Sequence, residues 1–235
     1  MNYKAIIFDL DGTLVDTIAD IAASMNRALE LHGFPRVALQ EYTSKVGWGI
    51  RRLALLALPP AVREGADGES IAGAVARDAT RFYTEQPLVY STPYPGILEL
   101  VAELKRRGFK TAVLTNKPDP VARLVIDALF PPGSFNRIQG DRIGQPRKPD
   151  PRSTRETLQA LETSPEETLL VGDSEIDMEA AHAVGCYALG VSWGFRPRPV
   201  LERSGAARII DRPAELLDFC PGNADEGQSG PLSIP

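Results

Sequence analysis

Short apolar runs alternate with helical patterns along most of the chain. Residues 5–8, 110–114 and 168–172 are apolar runs with the length of buried parallel strands. A helix is predicted over 96–107, where a cationic last turn is followed by Gly108. This alternation predicts an α/β fold with a Rossmann-like, doubly wound parallel sheet as its core.

A long helical stretch interrupts the alternation after the first strand. Apolar residues fall at helical spacing over 18–29, and the sequence Gly-Phe-Pro at 33–35 ends that run. Further helices are predicted over the ranges 39–46, 49–58 and 69–86, with Pro59 and Pro60 as a break. The pattern predicts a small all-helical cap domain inserted after the first strand.

These patterns divide the chain into a core, an insertion and a tail. We expect the α/β core domain over 1–15 and 92–219, and the helical cap domain over 16–91. Linkers at about 14–17 and 86–94 would form a hinge between them. Residues 220–235 are rich in Gly, Pro and polar residues, which predicts a disordered tail.

Two carboxylates follow the first predicted strand directly. Asp9 and Asp11 lie two residues apart, so on extended backbone their side chains point to the same side. In open α/β sheets, reactive groups gather beyond the carboxyl ends of the strands. The pair therefore predicts a nucleophile and an acid/base, and the alternative is a surface turn in which Asp11 and Thr13 bond their own backbone.

Polar motifs also follow the later strands. Thr115, Asn116 and Lys117 come after the strand at 110–114, although a Thr in this place is usually a helix N-cap. Lys148 stands before a proline, where a lone lysine is ordinarily solvated. Residues 172–177 read Gly-Asp-Ser-Glu-Ile-Asp after a buried strand, and this acidic motif is the most specific of the three.

Together these motifs resemble the haloacid dehalogenase (HAD) superfamily of phosphohydrolases. Residues 9–14 match its first signature, Asp-x-Asp-Gly-Thr-Leu, and Thr115, Lys148 and the motif at 172–177 match the second, third and fourth in order. The resemblance spans residues 3–211. It implies a hydrolase with an α/β core that acts on phosphate esters.

The resemblance also implies roles for single residues. Asp9 would be the nucleophile that forms an aspartyl-phosphate, and Asp11 would be the general acid and base. Thr115 would hold a phosphate oxygen, and Lys148 would contact both the nucleophile and the phosphate. Asn116 and Lys117 are further candidates to bind the substrate.

A metal ion is expected because the site would otherwise hold too much negative charge. Mg²⁺ prefers oxygen ligands, and Asp9, the backbone carbonyl of Asp11 and Asp173 are a plausible set. Asp177 either orients Lys148 from behind or binds the metal directly. Mg²⁺ is the expected cofactor.

The insertion resembles the phosphoglycolate phosphatase branch of this superfamily. Residues 16–29 resemble that branch, as does Gly47-x-Gly49 followed by Leu53. The glycines would turn backbone N–H groups toward a small carboxylate, with which Arg51 or Arg52 could pair. An ordinary glycine turn before an amphipathic helix is the competing interpretation.

Other substrates and one other class stay open. A pyrophosphatase, or a broad sugar-phosphate or nucleotide phosphatase, would need the same core. A β-phosphoglucomutase-type phosphotransferase is disfavoured, because that branch has a His where this chain has Ile21. A non-catalytic phosphate-binding regulator is disfavoured because Asp9, Asp11, Lys148 and Asp173 are all present.

Composition limits the partners and the compartment. The net charge of −5 argues against nucleic acid, and no stretch of about 20 apolar residues predicts a membrane span. Cys186 and Cys220 have no metal or redox spacing, so both are expected to be reduced thiols. We expect a cytoplasmic monomer or homodimer that begins with its first core strand and acts on a small phosphorylated metabolite.

Overall fold

The computed structural model describes residues 3–221 of the 235-residue chain. The strands in this range are β1 (Ala5–Phe8), β2 (Val15–Asp16), β3 (Thr92–Pro93), β4 (Lys110–Pro118), β5 (Arg137–Asp141), β6 (Thr168–Gly172), β7 (Tyr187–Val191) and β8 (Arg208–Ile210). The helices are α1 (Ile18–Leu31), α2 (Leu39–Lys45), α3 (Ile50–Ala57), α4 (Pro60–Arg63), α5 (Gly68–Glu85), α6 (Ile97–Arg106), α7 (Asp119–Leu129), α8 (Pro151–Leu161), α9 (Glu175–His182) and α10 (Arg198–Arg203). Two 3₁₀ turns lie at Pro165–Glu167 and Pro213–Phe219.

Six of these strands form one parallel sheet in the order β5-β4-β1-β6-β7-β8. All four residues of β1 are buried, since helices cover both faces of the sheet. Ile6 and Phe8 pack on the side of α6 and α7, whereas Ala5 and Ile7 pack on the side of α8 and α9. The predicted Rossmann-like, doubly wound α/β fold is confirmed.

Helices α1 to α5 lie between β2 and β3, and we call this segment the helical insertion. The predicted helices over 39–46, 49–58 and 69–86 are confirmed with ends that differ by a residue or two. The short α4 was not predicted; it begins at Pro60, where a proline fits the first helical position because no intrahelical partner is lost. Within the insertion α5 packs against both α1 and α3.

The helical insertion leaves and rejoins the core through a two-stranded antiparallel ribbon. Val15 of β2 pairs with Pro93 of β3, and Asp16 pairs with Thr92. Asp20 in the first turn of α1 is buried, and its carboxylate accepts hydrogen bonds from the N–H of Tyr90 and the N–H and hydroxyl of Ser91 at 2.6–3.2 Å. The two linkers predicted as a hinge are thereby tied to each other. The domain bounds themselves stay a prediction.

The end of the described chain is packed against the core. Cys220 is buried, and its carbonyl accepts a hydrogen bond from Arg107 at 2.6 Å. Cys186 and Cys220, which were expected to be reduced thiols, are both buried and form no disulfide among the described residues. Residues 222–235 of the predicted tail lie outside the described residues. Among helices within residues 3–221, none has the length and apolar character needed to cross a membrane.

The tie at Asp20 leads to a stability prediction. Asp20→Ala leaves two backbone donors and a hydroxyl without their acceptor, and each unpaired buried group costs about 1–3 kcal/mol. We expect the free energy of unfolding to fall by about 2–4 kcal/mol, measured by urea denaturation.

Asp67→Ala is the matched control. Asp67 is exposed and makes no side-chain capping bond at the start of α5, so the change there should stay below about 0.5 kcal/mol. An Asp20→Ala effect no larger than this control would refute the role given to Asp20.

Candidate active site

Three adjacent strands end at one edge of the sheet and carry the predicted motifs there. In the sheet β1 lies between β4 and β6. Asp9 follows β1, Thr115 and Asn116 lie in the last part of β4, and Asp173 follows β6. All four of these residues are buried. The parallel arrangement therefore brings motifs that are far apart in sequence to one place.

A tight turn after β1 lets two motifs touch. Gly12 has a φ of 90°, and a Cβ built there would lie 2.4 Å from Asp173 Oδ2, so a side chain does not fit. The next residue, Thr13, donates a hydrogen bond from Oγ1 to Asp173 Oδ1 at 3.1 Å. The glycine of the first motif is needed for the turn and for the close approach of the fourth motif.

Three buried carboxylates converge around one buried lysine. Ligand atoms of Asp9, Asp173 and Asp177 lie within 4.8 Å of one another. Lys148 Nζ lies 2.9 Å from Asp9 Oδ1 and 2.6 Å from Asp177 Oδ1. Asp177 Oδ2 accepts hydrogen bonds from the N–H and hydroxyl of Ser174, which forms a capping box at the start of α9. Both oxygens of Asp177 thus have donors.

Burial and the neighbouring charges shift the pKa values of the charged groups in the cluster. Burial, with further contributions from Asp177 and Asp11, raises the pKa of Asp9 to about 7 even though Lys148 opposes the shift. Burial and the charges of Asp177 and Asp9 raise the pKa of Asp173 well above its usual value. Burial lowers the pKa of Lys148, but Asp177 and Asp9 outweigh it and the net shift is upward.

The cluster fits a hard divalent cation. One lysine cannot balance three carboxylates, and buried Asp9 Oδ1 accepts no hydrogen bond in suitable geometry among the described residues, although Lys148 lies near it. The available donors are oxygens, as Mg²⁺ requires. Asp9 and Asp173 are suited to hold the ion, whereas the contacts of Asp177 favour the role of orienting Lys148. The carbonyl of Asp11 stays a predicted ligand.

The Asp11 carboxylate takes part in a second charged contact. Lys117 Nζ lies 3.0 Å from Asp11 Oδ1, and Thr17 Oγ1 donates to the same oxygen at 2.8 Å. The Lys117 ammonium also lies 4.1 Å from the centre of the Tyr83 ring, which belongs to α5 of the insertion. Burial lowers the pKa of Lys117, but Asp11 and Tyr83 together outweigh it and the net shift is upward.

Thr115 and Asn116 lie between the cluster and the insertion. Thr115 Oγ1 accepts a hydrogen bond from the N–H of Lys117 at 3.2 Å. Asn116 Nδ2 donates to the carbonyls of Gly47 and Lys148, both at 2.9 Å, and its buried Oδ1 has no partner among the described residues. Asn116 therefore connects the core to the insertion, a contact that the sequence did not reveal.

A cavity that is partly open to solvent lies beside these residues. Its lining combines the carboxylates Asp9 and Asp11 with apolar side chains from α1, α3, α5 and α7. The lining residues are Asp9, Asp11, Ile21, Ser24, Val46, Gly47, Gly49, Ile50, Leu53, Ala79, Thr80, Tyr83, Thr115, Asn116, Lys117, Pro118 and Val121. The insertion thus forms much of the wall that faces Asp9.

The two arginines predicted to bind a carboxylate do not line this cavity. Arg51 is exposed on the surface, where its Nη2 lies 3.3 Å from Glu69 Oε2, and Arg52 is also exposed. The predicted role of Arg51 and Arg52 gains no support from this arrangement. Arg147 instead lies beside Gly49, since a Cβ added at Gly49 would be 3.0 Å from Arg147 Nη1.

Several residues at the site were given no role from the sequence. Tyr83 lines the cavity with a buried hydroxyl that makes no hydrogen bond in suitable geometry among the described residues, although Ser91 and Lys117 lie near it. The N–H of Phe195 donates to Asp173 Oδ2 at 2.8 Å, and Trp193 Nε1 donates to the carbonyl of Thr13 at 3.1 Å. The position of residues 193–195 beyond the end of β7 was the available signal, because that strand ends at the same edge.

Comparison with known proteins identifies the family. Residues 3–185 match the model of the haloacid dehalogenase-like hydrolases. A phosphoglycolate phosphatase from Aquifex aeolicus is 34% identical over 193 residues, covering 82% of this chain and 86% of the relative. One from Pseudomonas putida is 31% identical over 227 residues, covering 94% and 80%.

A solved structure agrees with these relatives. A crystal structure of a predicted phosphoglycolate phosphatase from Haemophilus somnus superposes with a TM-score of 0.83 at 29% identity, and the match covers 94% of this chain and 99% of that one. The chain belongs to the haloacid dehalogenase-like hydrolases, as its motifs predicted.

The acidic cluster leads to a prediction about cation binding. Mg²⁺ at 100 times its Kd should stabilise the metal-free protein by about 2.7 kcal/mol, measured as a rise in the midpoint of thermal unfolding. Asp173→Asn should abolish most of this rise. The substitution should not lower the metal-free midpoint, because it removes one of three crowded charges.

Asp218→Asn supplies the control, since Asp218 is exposed and remote in sequence from the motifs. It should keep the full response to Mg²⁺. An equal rise in Asp173→Asn and in the wild-type protein would argue against the cluster as the cation site.

Proposed function

We propose that the protein is a Mg²⁺-dependent phosphomonoester hydrolase that works through an aspartyl-phosphate on Asp9. The observation that carries the proposal is the buried cluster of Asp9, Asp173 and Asp177 around Lys148, with Asp11 beside it at the cavity. Membership of a hydrolase family and relatives that are phosphatases support the same reaction class.

In this mechanism the residues of the cluster and Thr115 have distinct roles. Asp9 attacks the phosphorus atom and carries the phosphoryl group until water releases it. Lys148, oriented by Asp177, and Thr115 hold the phosphate oxygens. Bound Mg²⁺, held by Asp9 and Asp173, would offset negative charge on the carboxylates and the phosphate.

Asp11 is proposed to move the protons. It would protonate the departing alkoxide and then accept a proton from the attacking water. Thr17 and Lys117 fix the position of its carboxylate through the contacts at 2.8 and 3.0 Å. Ile21, which lines the cavity, offers no acid–base group there, and this favours hydrolysis over transfer by a mutase.

The proposed substrate is 2-phosphoglycolate or a similar small phosphorylated metabolite. The names of the relatives and the cavity position of Gly47 and Gly49 support this choice. One observation favours a second candidate, a broader phosphatase for sugar phosphates: no arginine lies among the described residues that line the cavity, whereas Ile50, Leu53 and Tyr83 do. A wall with apolar side chains and no arginine suits a substrate whose leaving group carries no charge, such as a sugar.

The remaining parts of the proposal concern the surroundings of the site. We propose that the helical insertion, residues 16–91, acts as a cap that excludes water during phosphoryl transfer. A cytoplasmic location is supported by the two free cysteines. A monomer or homodimer without nucleic-acid or membrane partners stays a prediction.

The experiment that tests the function is phosphate release with Mg²⁺ from a substrate panel. The panel contains 2-phosphoglycolate, pyrophosphate, β-glucose 1-phosphate and nucleoside monophosphates, with Asp9→Ala as the blank. A strong preference for 2-phosphoglycolate is the expected result. Comparable rates across sugar phosphates and nucleotides would favour the broader phosphatase, and no release above the blank would overturn the proposed reaction.

A single substitution tests the role of Asp11. Asp11→Asn should lower kcat by roughly 10² to 10⁴ with little change in KM, because a general acid–base acts in the transition state. Asp16→Asn is the same change at an exposed residue of the same segment and should leave kcat within about a factor of two. Unchanged turnover in Asp11→Asn would contradict the assignment.

A further inference from the structure

We propose that Arg196 is a positioning residue that holds residues 46–49, the glycine loop, over the active site. The glycine loop connects α2 to α3 and supplies Val46, Gly47 and Gly49 to the cavity wall. Arg196 lies in the loop at 194–199, which has no role predicted from the sequence. The structural part of this inference is independent of the proposed function, and its kinetic part rests on it.

The Arg196 loop is anchored to the carboxylate cluster. It follows β7, and the N–H of Phe195 donates to Asp173 Oδ2 at 2.8 Å. At Gly194 a Cβ would lie 2.2 Å from the Cβ of Asp173, so the backbone passes directly against that side chain. A movement of Arg196 relative to the cluster is therefore restricted by its two preceding residues.

The Arg196 guanidinium reaches across to the end of α2. Its Nη2 donates to the carbonyl of Val46 at 2.7 Å, and its Nη1 donates to the carbonyl of Thr43. The last carbonyls of a helix have no intrahelical donors and carry the negative end of the helix dipole. A cationic group with several donors satisfies both requirements, and Arg196 is only 8% exposed.

Glu175 fixes the guanidinium from the core side. Its Oε2 accepts a hydrogen bond from Arg196 Nε at 2.9 Å, and its Oε1 lies 3.4 Å from Nη2. Glu175 is the first residue of α9 and lies two positions after Asp173. The carboxylate offsets the burial of the arginine charge, which would be costly without a partner. The Arg196 side chain thus connects Glu175 of the fourth motif to the end of α2 in the insertion.

The glycine loop is also held by the second motif. The carbonyl of Gly47 accepts a hydrogen bond from Asn116 at 2.9 Å. Gly47 has a φ of 117°, and a Cβ there would lie 2.9 Å from Ile176 Cδ1 on α9, so only glycine sits in this contact without strain. Asn116 and Arg196 thus both donate to carbonyls of the loop, and lifting the insertion requires the release of both.

Hydrogen exchange of the full-length, metal-free protein tests the structural part. Peptides that cover residues 39–49 should exchange at least about tenfold faster in Arg196→Ala than in the wild type. The hydrogen bonds from the charged guanidinium stabilise the closed state of this segment, and without them local opening becomes more frequent. Peptides from β1 and β6 should keep their wild-type rates. Unchanged exchange over 39–49 would overturn the proposal.

Three further variants distinguish the loss of the Arg196 hydrogen bonds from a general loss of packing. Arg198→Ala removes a neighbouring, more exposed arginine that pairs with Asp211, and it should leave exchange over 39–49 unchanged. Glu175→Gln keeps the arginine but removes its partner charge and should give an intermediate rate. Arg196→Lys keeps the charge and should restore part of the protection. If Arg196→Ala does not fold, Glu175→Gln decides: wild-type exchange in that variant overturns the proposal.

Kinetics with two substrates test the consequence for catalysis. Arg196→Ala should lower kcat/KM for 2-phosphoglycolate by at least about tenfold, mainly through KM, since the glycine loop forms the wall for the leaving group. The value for p-nitrophenyl phosphate, a bulky ester with a good leaving group, should change by less than about threefold. Equal losses on both esters would contradict the positioning role. If the wild-type protein hydrolyses neither ester, the proposed function is refuted. The hydrogen-exchange result then decides whether Arg196 holds the glycine loop.

Discussion

The structure of the site depends on the buried ion pairs of Lys148. Three carboxylates meet at the end of the sheet, and the lysine contacts two of them at 2.6 and 2.9 Å. Breaking a buried pair by removal of one partner is far more costly than loss of a surface pair, because the other charge stays desolvated. The turn at Gly12, the capping box at Ser174 and the contact of Phe195 with Asp173 all bring backbone or side-chain donors to this same concentration of charge.

The sequence predicted the parts of the fold that local physics controls. β1 and β6 are apolar runs, and Asp9 and Asp173 follow them directly, so the centre of the sheet and the cluster were accessible from the pattern. The edge strand β5, with the sequence Arg-Ile-Gln-Gly-Asp, is not such a run. The helices of the insertion were predicted within a residue or two because apolar spacing, prolines and glycines mark their limits. The short α4 lacks enough length to show such spacing.

Contacts between distant segments were not predictable in the same way. Nothing in the sequence near Asn116 indicates that its amide would meet Gly47, and nothing near Arg196 indicates the carbonyls at the end of α2. The choice of Arg51 and Arg52 rested on nearness in sequence to the glycine loop, but α3 directs Arg51 toward Glu69 on the surface. Which side of a helix faces a cavity depends on how whole elements pack, and short motifs do not carry that information.

The ribbon of β2 and β3 affects how the insertion can change during evolution. Its two strands leave and re-enter the core side by side, and the main sheet has no strand within the insertion. Any helical segment whose ends lie a strand spacing apart could be exchanged at this point without a shift in sheet register. The wall that selects the leaving group can therefore change while the reactive groups of the core stay in place, provided that the contacts of Asn116 and Arg196 with the insertion are kept or replaced.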